Sequence, residues 1–184
     1  MERLAKGQVE CLGVLYERHD ARVKMSIGRF APEISEAERE ELVQDIFMAL
    51  NDSAPRFPDG ANFRGWLYGI VSNKTKKWRR NTWARRRLLR EKAGKGVGMA
   101  LEMNILPDEK ARLRALIRQA VITLPPAQRD VLILHAAEGF SGEEIAEILG
   151  ISHRTVRTRL HRARKRLSEC FDESEFGKRS KAGT

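Results

Sequence analysis

The sequence predicts an all-α protein: two small helical domains joined by a flexible linker, the second domain carrying a helix-turn-helix. Three observations predict it. Apolar residues recur at helical spacing in every segment not dense in turn residues. Residues 84–107 (ARRRLLREKAGKGVGMALEMNILP) lose that periodicity and gather glycines, as a linker does. The stretch from Ser141 to Leu167 holds two short amphipathic helices across a tight Gly-Ile-Ser turn, the pattern of a helix-turn-helix.

In chain order, Leu12, Leu15, Tyr16, His19, Val23 and Ile27 fall on one helical face, and the Ala31-Pro32 step closes that helix. His19 has no second ligand in view, so it reads as a half-buried packing residue rather than a metal ligand. From Ser35 to Asn51 a second helix turns Leu42, Val43, Ile46, Phe47 and Leu50 inward and Glu38, Glu41, Gln44 and Asp45 outward. An acidic face repels DNA, which leaves solvent or a basic protein surface as its neighbour.

Asp52 to Asn62 (DSAPRFPDGAN) is dense in turn residues and predicts a loop. Helical spacing resumes through Phe63, Trp66, Leu67, Ile70 and Val71. The far half of this helix carries Asn73, Lys74, Thr75, Lys76, Lys77, Trp78, Arg79 and Arg80. Cations for the backbone beside an aromatic ring and amides suit single-stranded or opening DNA. Trp66 belongs to the core by its spacing, whereas Trp78, amid charge, is the tryptophan expected to act at the surface.

Beyond the linker, Asp108 to Leu124 predicts a helix through Leu113, Leu116, Ile117, Ala120 and Val121, and Pro125-Pro126 opens another that Gly139 ends. Ser141 with Glu144 forms a capping box; Ile145, Ala146, Ile148 and Leu149 follow at helical spacing until Gly150 supplies a left-handed stop. Ser152 caps the next helix, whose apolar stripe is Val156, Leu160, Ala163 and Leu167. Its other faces carry Arg154, Arg157, Thr158, Arg159, His161, Arg162, Arg164, Lys165 and Arg166, with no acid from Ser152 to Ser168. Guanidinium groups donate to phosphates and guanine edges, and hydroxyls serve either, so this reads as a recognition helix. An Arg-rich helix alone is often only a solvated face; the capped first helix and the glycine turn decide for DNA binding. The tail from Asp172, DESEFGKRSKAGT, is polar and predicts disorder.

The whole-chain composition agrees. Its 184 residues at 41% apolar content fill compact helical modules and little more. A net charge of +10, with a pI near 10.1, implies a polyanionic partner. The charge is uneven: residues 33–45 are mostly acidic and residues 74–92 overwhelmingly basic, so different faces should meet different partners. No apolar run approaches a membrane span, and MERLAKGQVE is not a signal peptide; the expected location is the cytoplasm. Cys11 and Cys170 lie far apart without metal-ligand spacing and are expected as free thiols. No cofactor or metal is expected. No nucleophile with activating partners, and no acid cluster for a metal, points to an enzyme.

The run LPPAQRDVLILHAAEGFSGEEIAEILGISHRTVRTRLHRARKRL, with ELVQDIF and FRGWLYGIVSNKTKKWRR upstream in that order, closely resembles the bacterial RNA polymerase sigma factors of the extracytoplasmic-function group. The resemblance covers about residues 8–168, and several motifs in order are more specific than any one alone. It implies a first domain, residues 1–83, that binds core polymerase and opens the minus-10 promoter element. A linker at 84–107 threads toward the RNA exit channel, a second domain at 108–171 reads the minus-35 element, and a polar tail occupies 172–184. Leu42, Val43, Gln44, Asp45 and Phe47 match the family's clamp-binding helix. Asp59, Gly60, Ala61, Asn62 and Phe63 match the loop that captures a flipped minus-10 base, and Asn73, Lys74, Lys77 and Trp78 match the helix beside the melting duplex. In the second domain Arg157, Thr158, His161 and Arg162 match base-facing positions, with Arg154 and Arg164 on the phosphates, and Thr155 belongs to the same minus-35 set. The resemblance further implies an anti-sigma factor as a protein inhibitor, and a chain that is a monomer when free.

The chain departs from the family pattern in places. Glu40-Glu41 stands where relatives carry an acid followed by Asp, which keeps the charge. Lys77 replaces a common Asp and adds a cation beside the opened strand; Thr158 replaces a common serine. The competing reading is a stand-alone helix-turn-helix regulator, which predicts tight duplex binding without polymerase, usually as a dimer on a palindrome.

Overall fold

The computed structural model describes Leu4 and residues 10–93 and 109–173. Among these are seven α-helices and no strand: α1 (Glu10–Phe30), α2 (Glu36–Ser53), α3 (Phe63–Ala93), α4 (Glu109–Thr123), α5 (Pro126–Ala136), α6 (Gly142–Leu149) and α7 (His153–Glu173), with a 3-10 turn at Ala54–Arg56. None of them is long and apolar enough to cross a membrane.

Local chemistry sets most of the boundaries. The Ser35 side chain accepts from the Glu38 backbone N–H at 3.3 Å, while the Glu38 carboxylate accepts from the Ser35 N–H at 3.1 Å and its hydroxyl at 2.7 Å. This capping box starts α2, and those hydrogen bonds, the hydroxyl's foremost, hold the Glu38 carboxyl below its ordinary range. Asn62 caps α3, its side-chain carbonyl accepting from the N–H groups of Arg64 at 3.0 Å and Gly65 at 3.4 Å. Pro126 opens α5 at a position whose N–H would have no helical partner. Gly150 is left-handed as expected, with φ +62°, and Gly139, expected to end its helix, is left-handed too, with φ +72°.

Two boundaries differ from expectation. The loop predicted from Asp52 to Asn62 is shorter, because α2 runs through Ser53 and the 3-10 turn follows. Buried Ala54 anchors that turn, and the Phe57 ring meets Trp66 edge-on with centroids 5.6 Å apart. Helix α3 runs ten residues past the predicted boundary at 83, to Ala93. The segment ARRRLLREKA is made of strong helix formers, and the first glycine comes only at Gly94. The remaining linker residues, 94–107, lie outside the described residues, as does the predicted tail from 174 onward; Asp172 and Glu173 end α7.

The two helical sets share one continuous apolar interior. Val23, Ile27, Val43, Ile46, Leu50 and Val71 from the first half and Leu134, Ile145, Val156 and Ala163 from the second are each essentially inaccessible to solvent. Tyr68 of α3 packs edge-on against Phe140, with ring centroids 5.2 Å apart, across the seam between the halves. Burying such side chains contributes roughly 1.5–3 kcal/mol each.

Candidate nucleic-acid interface

The helix-turn-helix forms as the sequence predicts. Ser141 and Glu144 exchange capping hydrogen bonds at 3.1 and 2.8 Å, and Ser152 accepts from the Thr155 N–H at 3.2 Å to start α7. Val156, Leu160 and Ala163 are buried and Leu167 half-buried, so the stripe opposite faces solvent. Arg154, Arg157, Thr158, His161, Arg162 and Arg164 are all exposed on it. Thr155, held by the cap, is half-buried, and the Thr158 hydroxyl is turned back to the Arg154 carbonyl at 3.0 Å. Sequence reasoning missed one contact between the two helices. The His153 ring lies so close over Gly142 that a Cβ there would stand 2.6 Å from its Nε2, and that nitrogen is 3.3 Å from a Glu143 carboxylate oxygen.

The minus-10 candidates do not form one cluster. Asp59 and Gly60 are exposed on the loop, where Gly60 takes φ +73°. Ala61, Asn62 and Asn73 line a cleft of about 400 Å³ together with Gly65, Trp66, Gly69 and Ile70. Phe63 instead packs against His19, with centroids 5.2 Å apart. Lys77 is exposed. Lys74 and Trp78 point the other way: Lys74 lies 3.9 Å from Asp45 of α2, and Trp78 is half-buried against the wall of the groove over α2. The tryptophan that does stand out is Trp83, 50% exposed, one turn further along α3. Thr75 and Arg79, expected among the surface cations and hydroxyls, are buried.

The core-binding candidates divide likewise. Val43 is inaccessible, and Leu42 and Phe47 are buried, their edges forming part of the floor of a groove of about 700 Å³. Glu38, Glu41, Gln44, Asp45 and Met48 rim that groove. Met48 is 62% exposed. A partner there would therefore meet carboxylates and a methionine, with Val43 acting only as scaffold. The rim is acidic, as predicted.

Sequence reasoning missed two buried polar clusters on the seam. The Arg79 guanidinium meets the Asp130 carboxylate fork to fork at 2.9 and 2.8 Å, and donates to the Phe30 carbonyl at 3.0 Å. The neighbouring Arg129 donates to the carbonyls of Val121 at 3.1 Å, Ile122 at 2.6 Å and Leu124 at 3.2 Å, so one guanidinium meets three carbonyls at the end of α4 and just beyond it. In the second cluster Glu138 accepts from Ser26 at 2.8 Å, Arg29 at 2.9 Å and the Tyr68 hydroxyl, with Arg22 at 3.5 Å. Burial, and then the Glu138 carboxylate beside it, raises the Tyr68 phenol above its ordinary value. An Arg-Asp pair inside an apolar helix, RDVLIL, is the one sequence signal that could have disclosed the first cluster. Among the described residues no group of three or more His, Cys, Asp or Glu side chains is placed to hold a metal ion.

Comparison with known proteins gives both halves an assignment. Residues 15–91 match the Sigma-70 region 2 family, and residues 114–167 match Sigma-70, region 4. The chain is 30% identical over 177 residues to the RNA polymerase sigma factor CarQ of Myxococcus xanthus, covering 96% of this chain and 98% of that one. It is 34% identical over 146 residues to the ECF RNA polymerase sigma factor EcfG of Rhodopseudomonas palustris, covering 78% and 77%. Its fold is similar to that of the sigma factor RpoE from Bartonella quintana, solved in complex with the anti-sigma factor NepR: TM-score 0.61, 27% identity, covering 86% of this chain and 98% of that one. Matched in both halves, in order, and nearly end to end with a relative at 30% identity, this chain belongs to the extracytoplasmic-function group of the sigma-70 family, the RNA polymerase subunits that direct initiation at promoters and are not themselves enzymes.

Proposed function

We propose that the sigma task is divided between faces of opposite charge, and the observation that carries this reading is their separation. The acidic rim of the groove over α2, with Gln44, Asp45 and Met48 outermost, takes core polymerase. The acid-free outer stripe of α7 reads the minus-35 element: Arg157, Thr158, His161 and Arg162 on base edges, Arg154 and Arg164 on phosphates, and Thr155 at the helix start. The cleft bounded by Ala61, Asn62 and Asn73, with Asp59, Gly60 and Lys77 at its approaches, receives the flipped base and the opened minus-10 strand. Phe63, Lys74 and Trp78 support that surface from behind through their contacts with α1 and α2. The two functional units are residues 1–83 and 108–171, with 84–107 as the connection, whose first ten residues continue α3, and 172–184 as a tail, whose first two residues end α7.

The chain acts in the cytoplasm, where its polymerase and promoters are, and is a monomer when free. An anti-sigma factor is its regulator, as NepR is the partner of the structurally similar RpoE; the groove over α2 is the surface polymerase and inhibitor would contest. Run-off transcription on fragmented genomic DNA tests the reading, with core polymerase from a compatible bacterium, plus and minus this chain. Discrete starts that need both components support it. DNA binding without core-dependent initiation would overturn it in favour of a stand-alone regulator.

A further inference from the structure

A smaller cavity, of about 60 Å³, lies between α1 and the start of α3, and every residue that lines it belongs to one of these two helices. It has room for about two waters or one tetrahedral anion. Its polar wall is made by His19, Arg22, Arg64 and the Tyr68 ring, with Phe63 beside them and no carboxylate among the lining residues.

The two guanidinium groups are unequally engaged. Arg64 is half-buried, with its Cζ 4.2 Å from the Phe140 ring centroid and 5.9 Å from that of Tyr68. Stacking of this kind holds the plane of the group and leaves its in-plane N–H donors unused. Its Nε is closed off from solvent without a hydrogen-bond partner, and the side chain forms no ion pair among the described residues. Shielded donors without an acceptor are rare in folded proteins. Arg22 is 54% exposed and meets Glu138 through a single long contact, Nε to Oε2 at 3.5 Å. A guanidinium has five N–H donors, so that contact leaves most of them for a second acceptor. Glu138 itself is taken up from outside the cavity by Ser26, Arg29 and Tyr68. The field at the site is positive: after burial, the charges that lower the His19 imidazole are those of Arg18 and Arg22.

We propose that this cavity is a phosphate site, in which the forks of Arg22 and Arg64, with the His19 ring, take a single phosphate group. Two forks and an imidazole offer donors from more directions than the two coplanar oxygens of a carboxylate accept, whereas a tetrahedral phosphate presents oxygens to all of them. The phosphate belongs either to a free phosphate compound or to the backbone of a DNA strand. Nothing in none of the roles given above to the minus-35 helix or to the groove over α2 uses Arg22 or Arg64, so the site stands independently of them.

The test follows the ring signals of His19, one of four histidines, by NMR in the full free chain. Inorganic phosphate added at constant ionic strength and neutral pH should shift them saturably. It should also raise the His19 pKa toward its ordinary value, because a bound anion opposes the two arginine charges. Sodium chloride should do neither. Arg64→Met keeps a side-chain stem over Phe140 and removes the fork; it should weaken phosphate binding about ten-fold or more, and Arg64→Lys, a charge without a fork, should fall between that variant and wild type. A nucleoside triphosphate and a short single strand carrying the minus-10 element from mapped start sites then distinguish the sources. A His19 shift at lower concentration of triphosphate than of the ion, with none from the strand, identifies a free phosphate compound. A shift caused by the strand and abolished by uncharged methylphosphonate linkages identifies the backbone, and a response to inorganic phosphate alone leaves the ion itself as the ligand. A shift that never saturates, that sodium chloride reproduces or that Arg64→Met leaves unchanged would overturn the proposal, as would a His19 pKa indifferent to phosphate.

Discussion

Arg79 and Asp130, 51 residues apart in sequence, meet fork to fork in the interior, at 2.9 and 2.8 Å, with both side chains almost wholly excluded from solvent. Taking two charges out of water is costly, and the bidentate geometry offsets that cost only while both partners are present. Arg79→Met alone strands a buried carboxylate and should lower stability to urea by about 3–5 kcal/mol, whereas Arg79→Met with Asp130→Leu should recover most of the loss. A double variant no more stable than the single one would show that the pair contributes more than mutual neutralisation.

Arg162 and Arg164 lie on different sides of the exposed face of α7. Arg162→Ala should weaken binding to the cognate minus-35 element by about 1–3 kcal/mol and relax one promoter position. Arg164→Ala should weaken every sequence alike and reduce the salt dependence of binding. Equal effects of both substitutions on all sequences, measured by competition against mutated duplexes, would refute the division of roles.

Burial separates two kinds of residue in the helix proposed to bind core polymerase. Phe47, 3% exposed and 4.8 Å from the Tyr16 ring centroid, should lose about 3–5 kcal/mol of stability on change to Ala. Asp45, whose side chain is 68% exposed and only loosely paired with Lys74, should leave denaturation within about 0.5 kcal/mol of wild type on change to Lys. That same charge reversal should cut competition with another sigma factor for core polymerase. A destabilised Asp45→Lys chain, or one that competes undiminished, would go against the acidic rim as the contact.

His19 packs on Phe63, and burial, followed by the charges of Arg18 and Arg22, lowers its imidazole below the ordinary value. The folded chain therefore favours the neutral ring. As pH falls below about 6.5, the unfolded chain takes up the proton more readily, so stability is lost from there down to the lower folded value. The His19 ring signals should titrate below pH 6.5 by NMR, and melting at pH 5.5 should come closer to that at pH 7.5 in His19→Gln than in wild type.

The helices, caps and glycine stops were legible because each is decided within a few residues. Ser141, Glu144 and Gly150 specify the helix-turn-helix without help from the rest of the chain. The end of α3 was misjudged because periodicity fails where a helix leaves the core and exposes every face, as at Arg85, Arg86 and Arg87, although its composition still favours helix. The surface assigned to Arg79 was wrong for a different reason: its partner Asp130 lies in the other half of the chain, and no local pattern reveals a buried pair formed across a tertiary seam. The same holds for Trp78, whose place is set by the neighbouring α2 and not by the cations beside it in sequence.

Because Glu144 and Asn62 belong to one polypeptide, their encounter does not depend on how much protein is present. Tethered partners experience an effective concentration that can reach the order of millimolar, so dilution leaves the contact between α6 and α3 intact, and even a modest attraction between the two helices suffices to maintain it.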